Sequence, residues 1–115
     1  MAQVEVIIVN PLANEIKKKF KEESHKIIEL LESLEENPSK GKLLANVGGL
    51  LIKELKYKGF RFYFVVDGYK LKCYDEDELV NLLIRFVRMS NKKYQQKTIN
   101  EIREVLRKIG AGGFK

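Results

Sequence analysis

Apolar and polar residues alternate most regularly in the stretch KELKYKGFRFYFVVDG, residues 53–68. Side chains of a strand point to opposite faces in turn, so this stretch divides into two sets. One set is apolar and is predicted to face the core: Phe60, Phe62, Phe64 and Val66. The other is predicted to face away from it: Arg61, Tyr63 and Val65. The pattern indicates two strands, 51–57 and 60–66, joined by a bend at Gly59.

The first third of the chain changes from strand to helical spacing. The β-branched run 4–9 predicts a strand, and a helix is predicted to begin at Asn10, because Asn caps helices and the following Pro suits a first turn. Apolar residues then recur at helical spacing. They predict one long amphipathic helix, or two helices broken around 22–25. The helical region is predicted to end before Pro38, since a residue preceding proline avoids the helical conformation.

The second half of the chain is rich in turn signals. Residues 39–49 hold three glycines and predict a connection with a short turn. Asp67-Gly68 is a hairpin signal, so residues 69–74 are predicted to return as an antiparallel strand. The acidic run 75–78 is predicted to be a solvated tip before a last strand within 79–89.

A C-terminal helix completes the pattern. Its apolar residues fall at i, i+3, i+7 and i+10: Ile99, Ile102, Leu106 and Ile109. Gly110 is predicted to end this helix, and residues 110–115 are predicted to fray. The element order predicts an α+β fold over residues 1–115. We expect a sheet of about four strands, antiparallel apart from the N-terminal strand, with helices on one face and the other face open.

Composition narrows the function classes. A chain of 115 residues that is 44% hydrophobic can bury a core as one domain. One cysteine and one histidine make an intramolecular disulfide or a His/Cys metal cluster unexpected, so we expect no metal and no cofactor. No apolar run of membrane-spanning length and no secretion leader are visible, which favours a cytoplasmic protein. The abundance of Lys and Glu is a bias seen in proteins of hot environments.

The net charge of +6 is unevenly distributed. Residues 53–72 hold 6 basic and 2 acidic groups, and residues 81–115 hold 9 basic and 2 acidic groups. Residues 73–80 hold 4 acidic groups and no basic one. Cations concentrated in two segments are typical of a protein that binds a polyanion, with a solubilising surface as the alternative.

The order of these motifs resembles the RelE/ParE toxin superfamily, particularly its RelE and HigB (phage Gp49-like) branches. The similarity covers nearly the whole chain, through the segments VEVIIV, ENPSKGK, IKELKYKGFRFYFVVDG and FVRMSNKKY. It implies a RelE-like fold and a messenger-RNA endonuclease that works without metal, usually on the ribosome. It also implies an antitoxin protein that holds the enzyme inactive.

The resemblance suggests five candidate catalytic residues: Arg61, Arg88, Tyr94, Lys56 and Lys53. Arg61 follows the Gly-Phe pair and matches the arginine that holds the scissile phosphate. Arg88 and Tyr94 stand six residues apart, as do the late arginine and the tyrosine general base of the RelE branch. Four further cations are expected to contact RNA: Lys58, Arg85, Lys92 and Lys93.

The chain also departs from the RelE pattern. That pattern has lysines two residues apart where this chain has Ile52 and Glu54, with Lys53 and Lys56 shifted. The segment DEDELVN is an insertion. Glu54 can pair with a neighbouring cation such as Arg61, or can itself act as the base.

Strand alternation leaves a choice between two late arginines. If the alternate apolar residues of the last strand face the core, Arg85 points to the open face. Arg88 does so only if a bulge intervenes or the strand ends before it. Arg88 can otherwise pack against the C-terminal helix and stabilise it. Tyr94 can be a packing residue at the start of the same helix.

Three functions remain open from the sequence. The first is a ribonuclease toxin, in which Lys and Arg stabilise the phosphorane and a tyrosine moves a proton. The second is a ParE-like protein that binds a target such as gyrase, and the third is a nucleic-acid-binding module without activity. If Arg61 is an exposed phosphate ligand, Arg61→Ala is expected to change stability by less than about 0.5 kcal/mol and cleavage by about a hundredfold.

Overall fold

Five strands form one mixed sheet in the computed structural model, which describes residues 3–114. They are β1 (Gln3–Ile8), β2 (Lys42–Val47), β3 (Leu50–Tyr57), β4 (Phe60–Asp67) and β5 (Asn81–Asn91). Their order across the sheet is β1-β5-β4-β3-β2, with β1 parallel to β5 and the other neighbours antiparallel. The predicted α+β fold with a mixed sheet is confirmed, with one strand more than expected.

Two helices cover the phenylalanine face of the sheet, as predicted. They are α1 (Asn10–Phe20) and α2 (Ser24–Glu32), separated by a 3-10 turn at Lys21–Glu23, so the alternative of two helices is the right one. Phe20 packs edge-on against Phe60 with ring centroids 5.1 Å apart. Phe62 and Phe64 are fully buried beneath the helices.

Residues 39–49 are more regular than predicted, because β2 lies within them. Gly48 and Gly49 both have positive φ and form a tight hairpin turn between β2 and β3. The side-chain oxygen of Asn46 accepts a hydrogen bond from the backbone of Gly49 at 2.9 Å. The predicted short turn is therefore present at the paired glycines, and the strand before it is the part that the prediction lacks.

The prediction of a strand at 69–74 is wrong, since residues Gly68–Asp75 form helix α3. Asp67 caps this helix by accepting a hydrogen bond from the backbone of Lys70 at 3.0 Å. Asp-Gly therefore begins a helix here instead of a hairpin, because an aspartate side chain serves both structures.

The second face of the sheet was expected to be open, but helix α4 (Gln95–Lys108) lies against it. Gln95 donates a hydrogen bond to Glu54 on this face at 3.1 Å. The tail after α4 follows the same face, where Ala111 accepts a hydrogen bond from Arg85 at 2.6 Å. Phe114 is only 4% exposed, so residues 110–114 do not fray; Lys115 lies outside the described residues.

A bulge in β5 decides the orientation of its two arginines. Tyr63 of β4 pairs with Arg88, while the next residue, Phe64, pairs with Phe86, so Val87 is the extra residue. Arg85 pairs with Val65 on the same face. Both arginines therefore share the sheet face of Arg61, as the bulge alternative required.

Candidate nucleic-acid interface

Arg61 is buried in an ion pair on the second sheet face, near the turn between β3 and β4. Its Nε lies 3.3 Å from Oε2 of Glu54, and the two side chains are only 10% and 1% exposed. The two charged groups form an ion pair, but these two atoms do not form a hydrogen bond with each other. Gln95 donates to the other carboxylate oxygen of Glu54. Of the alternatives for Glu54, the ion pair with Arg61 is the one formed.

This finding corrects the expectation that Arg61 is exposed. Lys56 and Ser90 flank Arg61 in the sheet register, and α4 begins over the neighbouring Glu54. With 8% of the residue exposed, the guanidinium meets a carboxylate where the resemblance implied a phosphate. A phosphate at Arg61 would therefore lie beside the negative charge of Glu54.

Tyr63 extends the buried polar network toward the end of β5. Its hydroxyl group and that of Ser90 form a hydrogen bond at 2.7 Å, and the whole residue is buried. Burial raises the pKa of Tyr63 above its ordinary value, and the nearby Glu54 carboxylate raises it further. Tyr63 is therefore a packing residue, because its ring is fully buried.

Lys53 lies on the opposite sheet face from Arg61, because it pairs with Phe64 in the register. Its ammonium donates a hydrogen bond to the backbone oxygen of Ser39 at 3.1 Å and lies 5.7 Å from the Phe64 ring centroid. Burial lowers the pKa of Lys53, and the nearby Asp75 offsets part of this change. Lys53 and Arg61, both candidate catalytic residues, therefore lie on opposite faces of the sheet.

The two lysines near the β3–β4 turn differ in their surroundings. Lys56 is exposed beside Arg61 in the register. Lys58 has a positive φ of 45° and pairs with Glu23 at 2.8 Å. The hydrogen bond with Glu23 raises the pKa of Lys58. Of these two, Lys56 is the one with no carboxylate within 4 Å in residues 3–114.

Arg85 and Arg88 are covered by the tail. Arg85 donates to Ala111, and the Arg88 guanidinium lies 5.1 Å from the Phe114 ring centroid. Arg88 also donates a hydrogen bond to the backbone oxygen of Val87 at 2.9 Å. Arg88 thus contacts the tail that follows the C-terminal helix, whereas the alternative from the sequence placed it against the helix itself.

Tyr94 is presented to solvent by a single 3-10 turn, Lys92–Tyr94, that links β5 to α4. The side chain of Asn91 caps this turn by accepting a hydrogen bond from the backbone of Tyr94 at 3.2 Å. Thr98 fixes the other side, because its hydroxyl group donates to the backbone oxygen of Tyr94 at 2.9 Å. The turn is thus held at both ends while Tyr94 remains 48% exposed.

A cleft of about 280 Å³ opens beside this turn, and we call it the Tyr94 cleft. It lies where β4 begins and β5 ends. This part of β5 extends past Phe86, the last residue of β5 that pairs with β1. The lining residues come from α1, from the two strands and from the start of α4: Glu15, Lys19, Phe60, Met89, Ser90, Asn91, Tyr94, Lys97, Thr98 and Glu101.

Cations surround the Tyr94 cleft without carboxylate partners. Lys19 and Lys97 line it, and Lys92 and Lys93 precede Tyr94 in the 3-10 turn. None of the four ammonium groups has a carboxylate within 4 Å in the part of the chain that the structure describes. Unpaired lysines beside an exposed aromatic ring are the groups that hold the backbone and bases of single-stranded nucleic acid.

Of the predicted site residues, Tyr94 lines this cleft, and Lys92 and Lys93 lie next to it in the 3-10 turn without lining the cleft. The sequence reasoning missed Lys19 and Lys97. Lys97 stands three residues after Tyr94, which is a neighbouring position on a helix surface, so its spacing was a usable signal. Lys19 carried no such signal, because only the packing of α1 against Phe60 brings it here.

Two other kinds of site are absent from the part of the chain that the structure describes. No three His, Cys, Asp or Glu side chains within residues 3–114 are placed to hold a metal ion. No helix in the same range is long and apolar enough to cross a membrane. No protein-family model, curated protein or solved structure matches the chain.

Proposed function

We propose that this protein is a RelE-like toxin that cleaves messenger RNA without a metal ion and binds its substrate at the Tyr94 cleft. The observation that carries the proposal is the exposed Tyr94 among the unpaired cations Lys92, Lys93 and Lys97. The proposal implies messenger RNA as substrate, with or without the ribosome, and an antitoxin protein as partner.

The reaction assigns a task to each group. The ribose 2′-oxygen loses its proton and attacks the adjacent phosphorus, the bond to the 5′-oxygen breaks, and that oxygen gains a proton. The products are a 2′,3′-cyclic phosphate and a 5′-hydroxyl group. Tyr94 is the proton-transfer group, because no hydrogen bond occupies its hydroxyl group within residues 3–114. The lysines stabilise the charge on the phosphorane.

Arg61 has a supporting task in this proposal. It pairs with Ser90 in the sheet register, and Ser90 lines the Tyr94 cleft. The Glu54–Arg61 pair therefore lies one strand away from the cleft wall. We assign Arg61 to positioning this wall, in place of the phosphate contact that the resemblance implies.

The test is cleavage of messenger RNA, with and without ribosomes, by the wild type and by Tyr94→Phe. Loss of a proton-transfer group is expected to lower the cleavage rate by about a hundredfold or more. The matched control is Tyr69→Phe, because Tyr69 is also exposed but lies on α3, outside the cleft. Equal cleavage by wild type and Tyr94→Phe would remove Tyr94 from the reaction.

A second candidate function is RNA binding without cleavage. The observation that favours it is the Arg61–Glu54 pair, which places a carboxylate where the resemblance implies a phosphate. The same assay separates the two functions. RNA binding by the wild type with no cleavage under either condition would favour the second candidate.

A further inference from the structure

The Tyr94 cleft carries two carboxylates as well as two lysines. Lys19 and Glu15 come from α1, and Lys97 and Glu101 come from α4. Within each helix the two charges are four residues apart, which is the spacing of a helical ion pair. Neither pair is closed within 4 Å in the described residues. All four charged groups are therefore available to bind a ligand that carries both negative charge and hydrogen-bond donors.

Aromatic rings stand on two sides of these charges. Tyr94 is about half exposed, and the half-buried Phe60 lies with its ring under the Lys19 ammonium, 4.8 Å from the ring centroid. Lys19 is exposed, so its ammonium can move from the ring to a phosphate. That movement would expose the Phe60 ring to a nucleobase. Any of the four bases can stack on an aromatic side chain.

We infer that the Tyr94 cleft is a nucleobase subsite that prefers bases carrying an exocyclic amino group over uracil. The inference rests on the proposed function, because it assigns a base specificity to the same RNA-binding site. A cleft of about 280 Å³ is near the lower limit of ligand pockets, which suits a single nucleotide.

The preference follows from the sign of the charges. The lysines attract the phosphate of a bound nucleotide, whereas Glu15 and Glu101 can only accept hydrogen bonds when ionised. Cytosine N4, adenine N6 and the guanine amino group donate hydrogen bonds, and a carboxylate accepts them. Uracil presents a carbonyl oxygen at the position of the cytosine amino group. A carboxylate facing that oxygen has no hydrogen to accept and repels it.

The test compares the affinities of oligocytidine and oligouridine of equal length, measured by fluorescence anisotropy at neutral pH and fixed salt. Both are single-stranded pyrimidines with the same phosphate charge, so the comparison isolates the base edge, where cytosine has an amino group and a bare N3 and uracil has a carbonyl group and an N3–H. The wild type is expected to bind oligocytidine about tenfold more tightly. Equal affinities, together with salt-dependent binding of both, would overturn the base preference and leave the RNA-binding proposal intact.

Two variants test whether the carboxylates of the cleft cause the preference for cytosine over uracil. Glu101→Gln and Glu15→Gln each remove a negative charge, so both RNAs are expected to bind somewhat more tightly while their ratio falls toward one. Glu104→Gln is the control, because Glu104 lies one turn further along α4, outside the cleft, and pairs with Lys108. It is expected to keep the wild-type ratio. An unchanged ratio in both cleft variants would overturn the assignment, and no binding of either RNA by the wild type would overturn the proposed function as well.

Discussion

The two polar regions at this end of the sheet differ in whether their charges are satisfied. The buried network joins Glu54 to Arg61 and Tyr63 to Ser90. The Tyr94 cleft lies on the other side of Ser90 and holds lysines and carboxylates that have no partner within 4 Å in residues 3–114. Ser90 belongs to both regions. The arginine in the most regular sequence motif therefore has an internal counter-charge, while the charged groups of the cleft have none.

Burial explains the difference. A charge removed from water loses several kcal/mol of solvation unless a counter-charge lies beside it. Glu54 and Arg61 are both buried on adjacent strands, so each supplies the counter-charge of the other. The lysines of the cleft remain in water, and their ammonium groups need no internal partner.

Arg61→Ala is expected to lower the free energy of unfolding by about 3 kcal/mol, because it leaves the buried Glu54 carboxylate without a counter-charge. This replaces the value of less than about 0.5 kcal/mol that the assumption of an exposed Arg61 gave. Urea unfolding measures the change. Lys56→Ala is the matched control, since Lys56 is the exposed register partner of Arg61, and it is expected to stay within about 0.5 kcal/mol.

A double variant shows whether the missing counter-charge is the cause. Arg61→Met combined with Glu54→Gln removes both charges and keeps similar volumes. It is expected to recover a large part of the stability lost in Arg61→Ala. A double variant as unstable as Arg61→Ala would contradict the ion-pair explanation.

Phe114→Ala tests whether the C-terminal tail stabilises the sheet face that carries the Glu54–Arg61 pair. Phe114 is 4% exposed and lies against the Arg88 guanidinium. Its truncation is expected to lower the free energy of unfolding by about 2 kcal/mol, below the usual value for a central phenylalanine because the tail can readjust. Ile109→Ala, at a residue 72% exposed, is the control and should leave the thermal midpoint nearly unchanged. A thermal midpoint of Phe114→Ala equal to that of the wild type would show that the tail does not contribute to stability.

Tyr63 makes the buried network sensitive to alkaline pH. Its pKa is raised in the folded protein, chiefly by burial, so the folded state holds this proton more strongly than the unfolded state. The stabilisation is fully present below the unfolded pKa of about 10 and is lost as pH rises through the higher folded pKa. The wild type is expected to lose up to about 1.4 kcal/mol more per pH unit above pH 10 than Tyr63→Phe. Parallel stability curves for the two proteins would contradict this.

Much of the fold was predictable because local patterns agreed with tertiary packing. Helices α1 and α2 and strands β3 and β4 follow the periods of their apolar residues. The sequence reasoning failed beside two glycine-containing turns. Asp67-Gly68 begins a helix although it is a hairpin signal, and the short turn at Gly48-Gly49 follows a strand that the prediction lacks.

The site was less predictable than the fold, because it depends on contacts between distant residues. Alternation correctly placed Arg61 opposite the phenylalanines, but it carried no information on what would cover that face. The covering comes from α4 and from Phe114, whose burial at the end of a Gly-rich tail has no local signal. Tyr94, Lys92 and Lys93 were found because they lie close together in sequence, whereas Lys19 reaches the cleft only through packing.

The central claim is that RNA is held by the free lysines around the Tyr94 cleft, and the salt dependence of RNA affinity tests it most directly. The variant Lys92→Ala/Lys93→Ala/Lys97→Ala is compared with the control Lys26→Ala/Lys40→Ala/Lys72→Ala, which removes the same charge from exposed lysines elsewhere. Each lost phosphate contact flattens the plot of log affinity against log salt by about 0.7 for single strands. We expect the cleft variant to flatten by about 2 and the control to keep the wild-type slope. Equal slopes for the two variants would contradict the claim.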